Sequence, residues 1–166
     1  MFPHARYVLA RAEWDFWSSK PERLRPSDAY DEAFRQLGKI LPEKRLAQLR
    51  DKLELIDPRT EIVPGIRSIP APGHTPGYTV ISVSSGDDRF FFIGDLLYDP
   101  KDIEDPHWYS IFDFDPEQVV VTRKQIFELA VKEHALLLAY HLPFPGLGYI
   151  LQNGQGWHWQ TFESTD

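Results

Sequence analysis

Apolar and polar positions alternate in short bursts along the chain, and the period changes twice. Arg6–Ala10 is a brief apolar run that predicts a strand. In Arg11–Trp17, Trp14 and Trp17 stand three apart, on one face of a helical turn. Pro21 and Pro26 interrupt the pattern, and Ser27-Asp28 then offers a cap for a helix running to Leu37. Pro42 opens another helix, with Leu46, Leu49 and Leu53 as its apolar stripe. After Ile56 the texture becomes extended, punctuated by Pro58, Pro64, Gly65, Pro70 and Pro72. Tyr78–Ser84 and Arg89–Ile93 predict two strands joined by Gly86-Asp87-Asp88 as a hairpin. Asp115-Pro116-Glu117-Gln118 is a helix start, with Asp as cap and Pro at the first helical position, and that helix runs to His134. Ala135–Tyr140 is a continuous apolar strand, and Gly148–Gln152 with Trp157–Phe162 form a last hairpin around Asn153-Gly154. Strands with flanking helices place the chain in the α/β or α+β class, and its 166 residues suit one domain over 1–166.

Composition narrows the chemistry. The net charge is −7, against the basic face that nucleic acid requires, so no nucleic-acid partner is expected. There is no cysteine, which removes disulfides, thiolate nucleophiles and cysteine-based zinc sites. A metal would have to be held by histidine and carboxylate. No apolar run is long enough to span a bilayer, and Met1–Arg6 lacks a signal-peptide pattern, so the default expectation is a cytoplasmic protein away from membranes.

Three ionisable residues interrupt this pattern in the same way. His74 sits in Pro72-Gly73-His74-Thr75-Pro76-Gly77, just before a strand. Asp95 follows Phe90–Gly94, and His141 follows Ala135–Tyr140, both at strand ends. Side chains at strand ends of a layered fold share one crevice, and separations of 21 and 46 residues suit groups gathered by a sheet. Two histidines and an aspartate suit zinc, iron or manganese, which acidify a bound water and polarise a carbonyl or phosphoryl oxygen. Hydrogen-bonded core histidines and a loop-capping aspartate are the bland alternative. His4, His107, His134 and His158 are weaker candidates by position. Asp113-Phe114-Asp115 could suggest calcium, but the helix cap accounts for Asp115.

Gly73-His74-Thr75-Pro76-Gly77, Ile93-Gly94-Asp95 and Ala139-Tyr140-His141 resemble the later metal motifs of the metallo-beta-lactamase superfamily. His141–Gly148, Phe2-Pro3-His4-Ala5, Glu13-Trp14 and the segment from Trp108 to Asp115 resemble its methyl parathion hydrolase and lactonase-like branch. The resemblance implies an αββα sandwich, here truncated, with one sheet incomplete and helices on its outer face. It implies His74 on one metal, His141 on the other and Asp95 bridging both, with Asp95 also the catalytic residue. It implies a metal-bound hydroxide that attacks an ester, lactone, amide or phosphoester of a small-molecule substrate.

The family's first motif, His-x-His-x-Asp-His, does not occur, since no two histidines stand two residues apart. The chain is expected to begin shortly after the point where that motif would end. Each of two ions would keep one histidine and a share of Asp95, below the three or four protein ligands usual for zinc. An isolated monomer is therefore expected to bind zinc, iron or manganese weakly or not at all. The apolar runs Phe90–Ile93 and Ala135–Ala139 fit strands covered on both faces, so a homodimer or higher oligomer burying the inner sheet face is expected. The functional expectations are a metal-dependent hydrolase completed by residues from elsewhere, a homodimer with a site built from two sets of these residues, or a non-catalytic self-associating domain with an unmetallated His/Asp cluster. Trp108, Tyr109, Phe144 and Leu147 are candidates for an apolar pocket lining, against ordinary packing.

Overall fold

The computed structural model describes residues 4–19, 44, 47–154 and 156–163. The predicted helix from Ser27 to Leu37 lies outside them, as does most of the one opening at Pro42. Residues 47–49 are helical, but the stripe does not reach Leu53. Leu53 instead starts strand β2 (Leu53–Ile56), which runs parallel to β1 (Tyr7–Ala10) with Tyr7 opposite Leu53 and Ala10 opposite Ile56. Helix α1 (Arg11–Ser18) leaves β1 without a break.

The other sheet has seven strands in sequential order: β3 (Glu61–Val63), β4 (Ile66–Pro70), β5 (Thr79–Ser85), β6 (Asp88–Phe92), β7 (Leu136–Leu138), β8 (Leu147–Asn153) and β9 (Gly156–Thr161). All neighbours are antiparallel except β6 and β7, whose parallel pairing needs the long crossover between them. That crossover holds α2 (Lys101–Glu104) and α3 (Pro116–Glu133). The Asp115 side chain accepts from the Gln118 amide at 3.0 Å, and Pro116 occupies the first turn. The helix stops at His134, whose φ of 48° is left-handed and lets its amide reach Ala130 and Val131.

The core lies between α3 and one face of this sheet. Ile126, Phe127 and Ala130 pack with Val80, Phe91, Leu137 and Ile150, and Phe127 meets Trp157 edge-on at 5.6 Å. Each fully buried large side chain contributes about 1.5–3 kcal/mol. The result is a mixed α/β fold with a helix-backed seven-stranded sheet and a second sheet that is incomplete, with two strands among the described residues. The expected strand Ala135–Tyr140 pairs only over Leu136–Leu138, because its partner β6 ends at Phe92. Beyond that point the chain turns into the site.

Candidate functional site

Topology gathers the three predicted residues at one sheet edge. β6 and β7 are parallel, so Asp95 and His141, which follow them, emerge at the same edge. β5 runs antiparallel to β6, so the turn before it, which holds His74, opens there too. Gly94 has φ of 49°, and the Tyr78 hydroxyl fills the space a Cβ would need. Tyr78 accepts the Asp95 amide at 2.5 Å and donates to the Ile93 carbonyl at 3.2 Å, which fixes the bend carrying Asp95.

Asp95 is the hub. Its Oδ1 accepts from the Tyr140 hydroxyl at 2.6 Å and from His141 Nε2 at 2.8 Å. Its Oδ2 stands 3.8 Å from His74 Nε2. Burial alone would raise the Asp95 carboxyl, but the hydrogen bonds from Tyr140 and His141, with the two imidazoles beside it, hold it below the usual carboxylate range. Asp95 is therefore ionised at neutral pH. Burial, together with the charge of Asp95, pushes the phenols of Tyr78 and Tyr98 upward. Burial and the hydrogen bond to Asp95 do the same for Tyr140, so it stays a donor.

The two histidines are held differently. His74 Nδ1 lies 3.1 Å from Asp113 Oδ1, and the Asp113 side chain is fully buried. A carboxylate only accepts, so Nδ1 carries a proton, and Nε2 is the ring nitrogen turned toward Asp95. Asp113 is itself fixed, because its Oδ2 accepts the Ser110 amide at 2.7 Å. His141 stacks on Tyr98 at 4.6 Å, and its hydrogen bond to Asp95 requires the proton on Nε2.

Asp113 and Tyr98 join this cluster, and the sequence reading did not place them in it. Asp113 lies in the acidic run set aside in favour of the helix cap at Asp115. Its partnership with His74 spans 39 residues and has no local signature. Tyr98 follows Asp95 by three residues in a loop, and only its proximity to Asp95 hinted at it. Trp108 and Tyr109 are exposed, Phe144 is almost fully so at 98%, and Leu147 belongs to β8.

A pair of zinc ions is what the motifs would imply, and the donor chemistry can be tested against that. An imidazole nitrogen, His74 Nε2, and the ionised Asp95 are donor types that zinc takes. His141 Nε2 would have to surrender its proton to become a donor. Among the described residues, no group of three or more His, Cys, Asp and Glu side chains is arranged to hold a metal ion. The residues described form a hydrogen-bonded cluster and do not by themselves fit a metal pair.

Known proteins agree with this architecture. AidC, a dizinc quorum-quenching lactonase solved with the product N-hexnoyl-L-homoserine, is 27% identical with a TM-score of 0.88. The similarity covers 99% of this chain and 57% of AidC. AbOPH, a hydrolase in the beta lactamase superfamily, is 24% identical with a TM-score of 0.80 over 99% of this chain and 57% of its own. An N-acyl homoserine lactone hydrolase solved with N-hexanoyl-L-homoserine at its catalytic metal centre shares the fold at 22% identity, with a TM-score of 0.58 over 81% of this chain and 46% of its own. The present chain thus spans about half the length of these structures. No match was found among curated proteins. Residues 4–141, which contain the turn of His74, the bend of Asp95 and the end of β7, match the family model described as the metallo-beta-lactamase superfamily, and the chain belongs to that superfamily.

Proposed function

We propose that this chain is part of a metal-dependent hydrolase of esters or lactones, with His74, Asp95 and His141 as a partial ligand set. The observation that carries the reading is the convergence of two imidazole nitrogens on the two oxygens of one ionised carboxylate. The 27% identity to a dizinc lactonase supports the substrate class. Zinc takes four ligands in most sites, so the remaining donors must come from protein outside the described residues. In this reading Asp113 holds the His74 ring so that Nε2 faces the centre, an outer-shell carboxylate of the kind that orients metal-binding imidazoles. Tyr140 and Tyr98 stay protonated and close the polar rim around Asp95.

One observation favours a second reading, a non-catalytic cluster. Asp95 Oδ1 already receives two hydrogen bonds, so the carboxylate is partly satisfied without metal. Elemental analysis separates the two. The protein is purified without chelators or a metal column and assayed alone and mixed with a polypeptide carrying the His-x-His-x-Asp-His segment of a relative. The hydrolase reading expects little metal on the chain alone. The mixture should retain about two zinc ions per complex, the count of a two-metal site. Retention should be lost in Asp95→Ala, and an N-acyl homoserine lactone should be opened. Failure of the mixture to retain zinc leaves the hydrogen-bonded cluster as the function of these residues.

A further inference from the structure

Helix α1 belongs to the small two-stranded sheet, where Arg11 binds Asp57 at 3.2 Å, yet Glu13 reaches the turn that carries His74. Glu13 Oε2 accepts from the Thr75 hydroxyl at 2.7 Å and from the Gly77 amide at 3.0 Å. Its Oε1 accepts from the Trp17 indole at 2.6 Å, one helical turn away. Both oxygens are thus occupied, and Trp17 holds the carboxylate in its rotamer. The approach is so close that a Cβ on Gly77 would fall on the Glu13 backbone. One turn further along α1, Phe16 meets Phe114 edge-on at 4.8 Å. The Phe114 amide donates to the His74 carbonyl at 3.1 Å, and Asp113, its neighbour, binds the His74 ring.

A pocket opens along the seam beside these contacts. A cavity of about 250 Å³ lies between Ala10, Ile56, Pro70, Pro72, Pro76 and Tyr78. Apolar packing there cannot set the turn to a fraction of an ångström, whereas charge-assisted hydrogen bonds to Thr75 and Gly77 can. We infer that Glu13 is the positioning residue for His74, and that α1 clamps the imidazole from both sides through Glu13 on residues 75–77 and Phe16 on residue 114. The seating of His74 is then coupled to the docking of the β1–α1–β2 unit. Glu13 touches neither a ligand nor the His74 ring, and it acts through the backbone of the turn.

The value of the clamp to a metal centre rests on the proposed hydrolase reading, but its test does not. The readout is the ring of His74 in metal-free, 15N-labelled protein at alkaline pH, where imidazoles are neutral. The parent chain should show the single tautomer with the proton on Nδ1. Glu13→Ala should lose it, giving averaged ring shifts of a tautomer mixture, while the Trp157 and Trp159 indole signals of the core stay in place. Glu13→Gln should restore the parent pattern, since its amide oxygen can still accept from Thr75 and Gly77 while only the Trp17 contact is lost. If Glu13→Ala does not fold, Thr75→Val decides, because it removes one anchor and leaves the helix intact. An unchanged His74 pattern in folded Glu13→Ala, or in Thr75→Val, overturns the inference. Absence of zinc in the complementation experiment would instead remove the metal reading and leave this one standing.

Discussion

At the residue scale, the site depends on side chains that accept more than one hydrogen bond. Asp113 is the clearest case: fully buried, it takes the Ser110 amide on one oxygen and the His74 ring on the other. Asp113→Ala strands both donors, and each unsatisfied buried group costs about 1–3 kcal/mol. We predict a loss of roughly 2–4 kcal/mol in urea denaturation for this variant. Asp113→Asn should lose less, because the amide oxygen can still accept from one donor. That His74, Asp95 and His141 would meet was legible in the sequence, because each breaks an apolar pattern beside Gly or Pro. Asp113 and Glu13 were not, because their partners are 39 and 62 residues away and neither interrupts a strand. Glu13 entered only through the resemblance of Glu13-Trp14, with no role attached, because a carboxylate in the first turn of a helix is favourable for a purely local reason.

At the element scale, α3 is an anchor as well as a core helix. Arg123, with no exposure to solvent, donates from Nε to the Leu96 carbonyl at 3.0 Å and from an Nη to the Pro106 and Trp108 carbonyls. Its other Nη lies 3.8 Å from Asp102 and lacks a hydrogen-bond partner. Asp102 in turn accepts the Tyr98 and Asp99 amides at 2.7 and 3.2 Å. One guanidinium thus ties the loop from Leu96 to Trp108, and with it Tyr98, to the helix. Removing one partner of a buried ion pair leaves the other uncompensated, which costs about 3–5 kcal/mol. Arg123→Met should therefore unfold at markedly lower urea, and adding Asp102→Asn should recover part of the loss; equal midpoints for the single and double variants would refute the pairing. The helix around Arg123 could be read in the sequence from its Asp-Pro start, because capping is local. The stripe ending at Leu53 misled for the opposite reason. Three leucines at helical spacing say nothing about β1, and pairing with Tyr7 recruits Leu53 into a strand.

At the scale of the whole molecule, the seven-stranded sheet has α3 on one face and an apolar strip on the other. Cross-strand register aligns Ile66, Val83, Phe90 and Leu136 in one row, and Ile81, Phe92, Leu138 and Leu147 in the next. These side chains alternate with Val80, Phe91 and Leu137, which face the core, so they point away from it. Phe92 is 37% exposed, and the others are half-buried. Such a strip has the composition of a sheet meant to be covered on both sides, and every large side chain left wet forfeits part of its 1.5–3 kcal/mol, by rough area bookkeeping. A second copy can cover it through a two-fold contact, in which the same rows meet themselves. Light scattering should then show a mass that rises with concentration from one chain toward two. Val83 and Phe90 face each other directly, so replacing them together as Val83→Lys and Phe90→Glu keeps a favourable cross-strand pair within the sheet. It also places charge in the middle of the strip. That double variant should remain folded and keep the mass of one chain at every concentration. A parent chain that stays monomeric throughout would mean that the strip is covered within the protein itself, and the self-association expected from its apolar runs would fall.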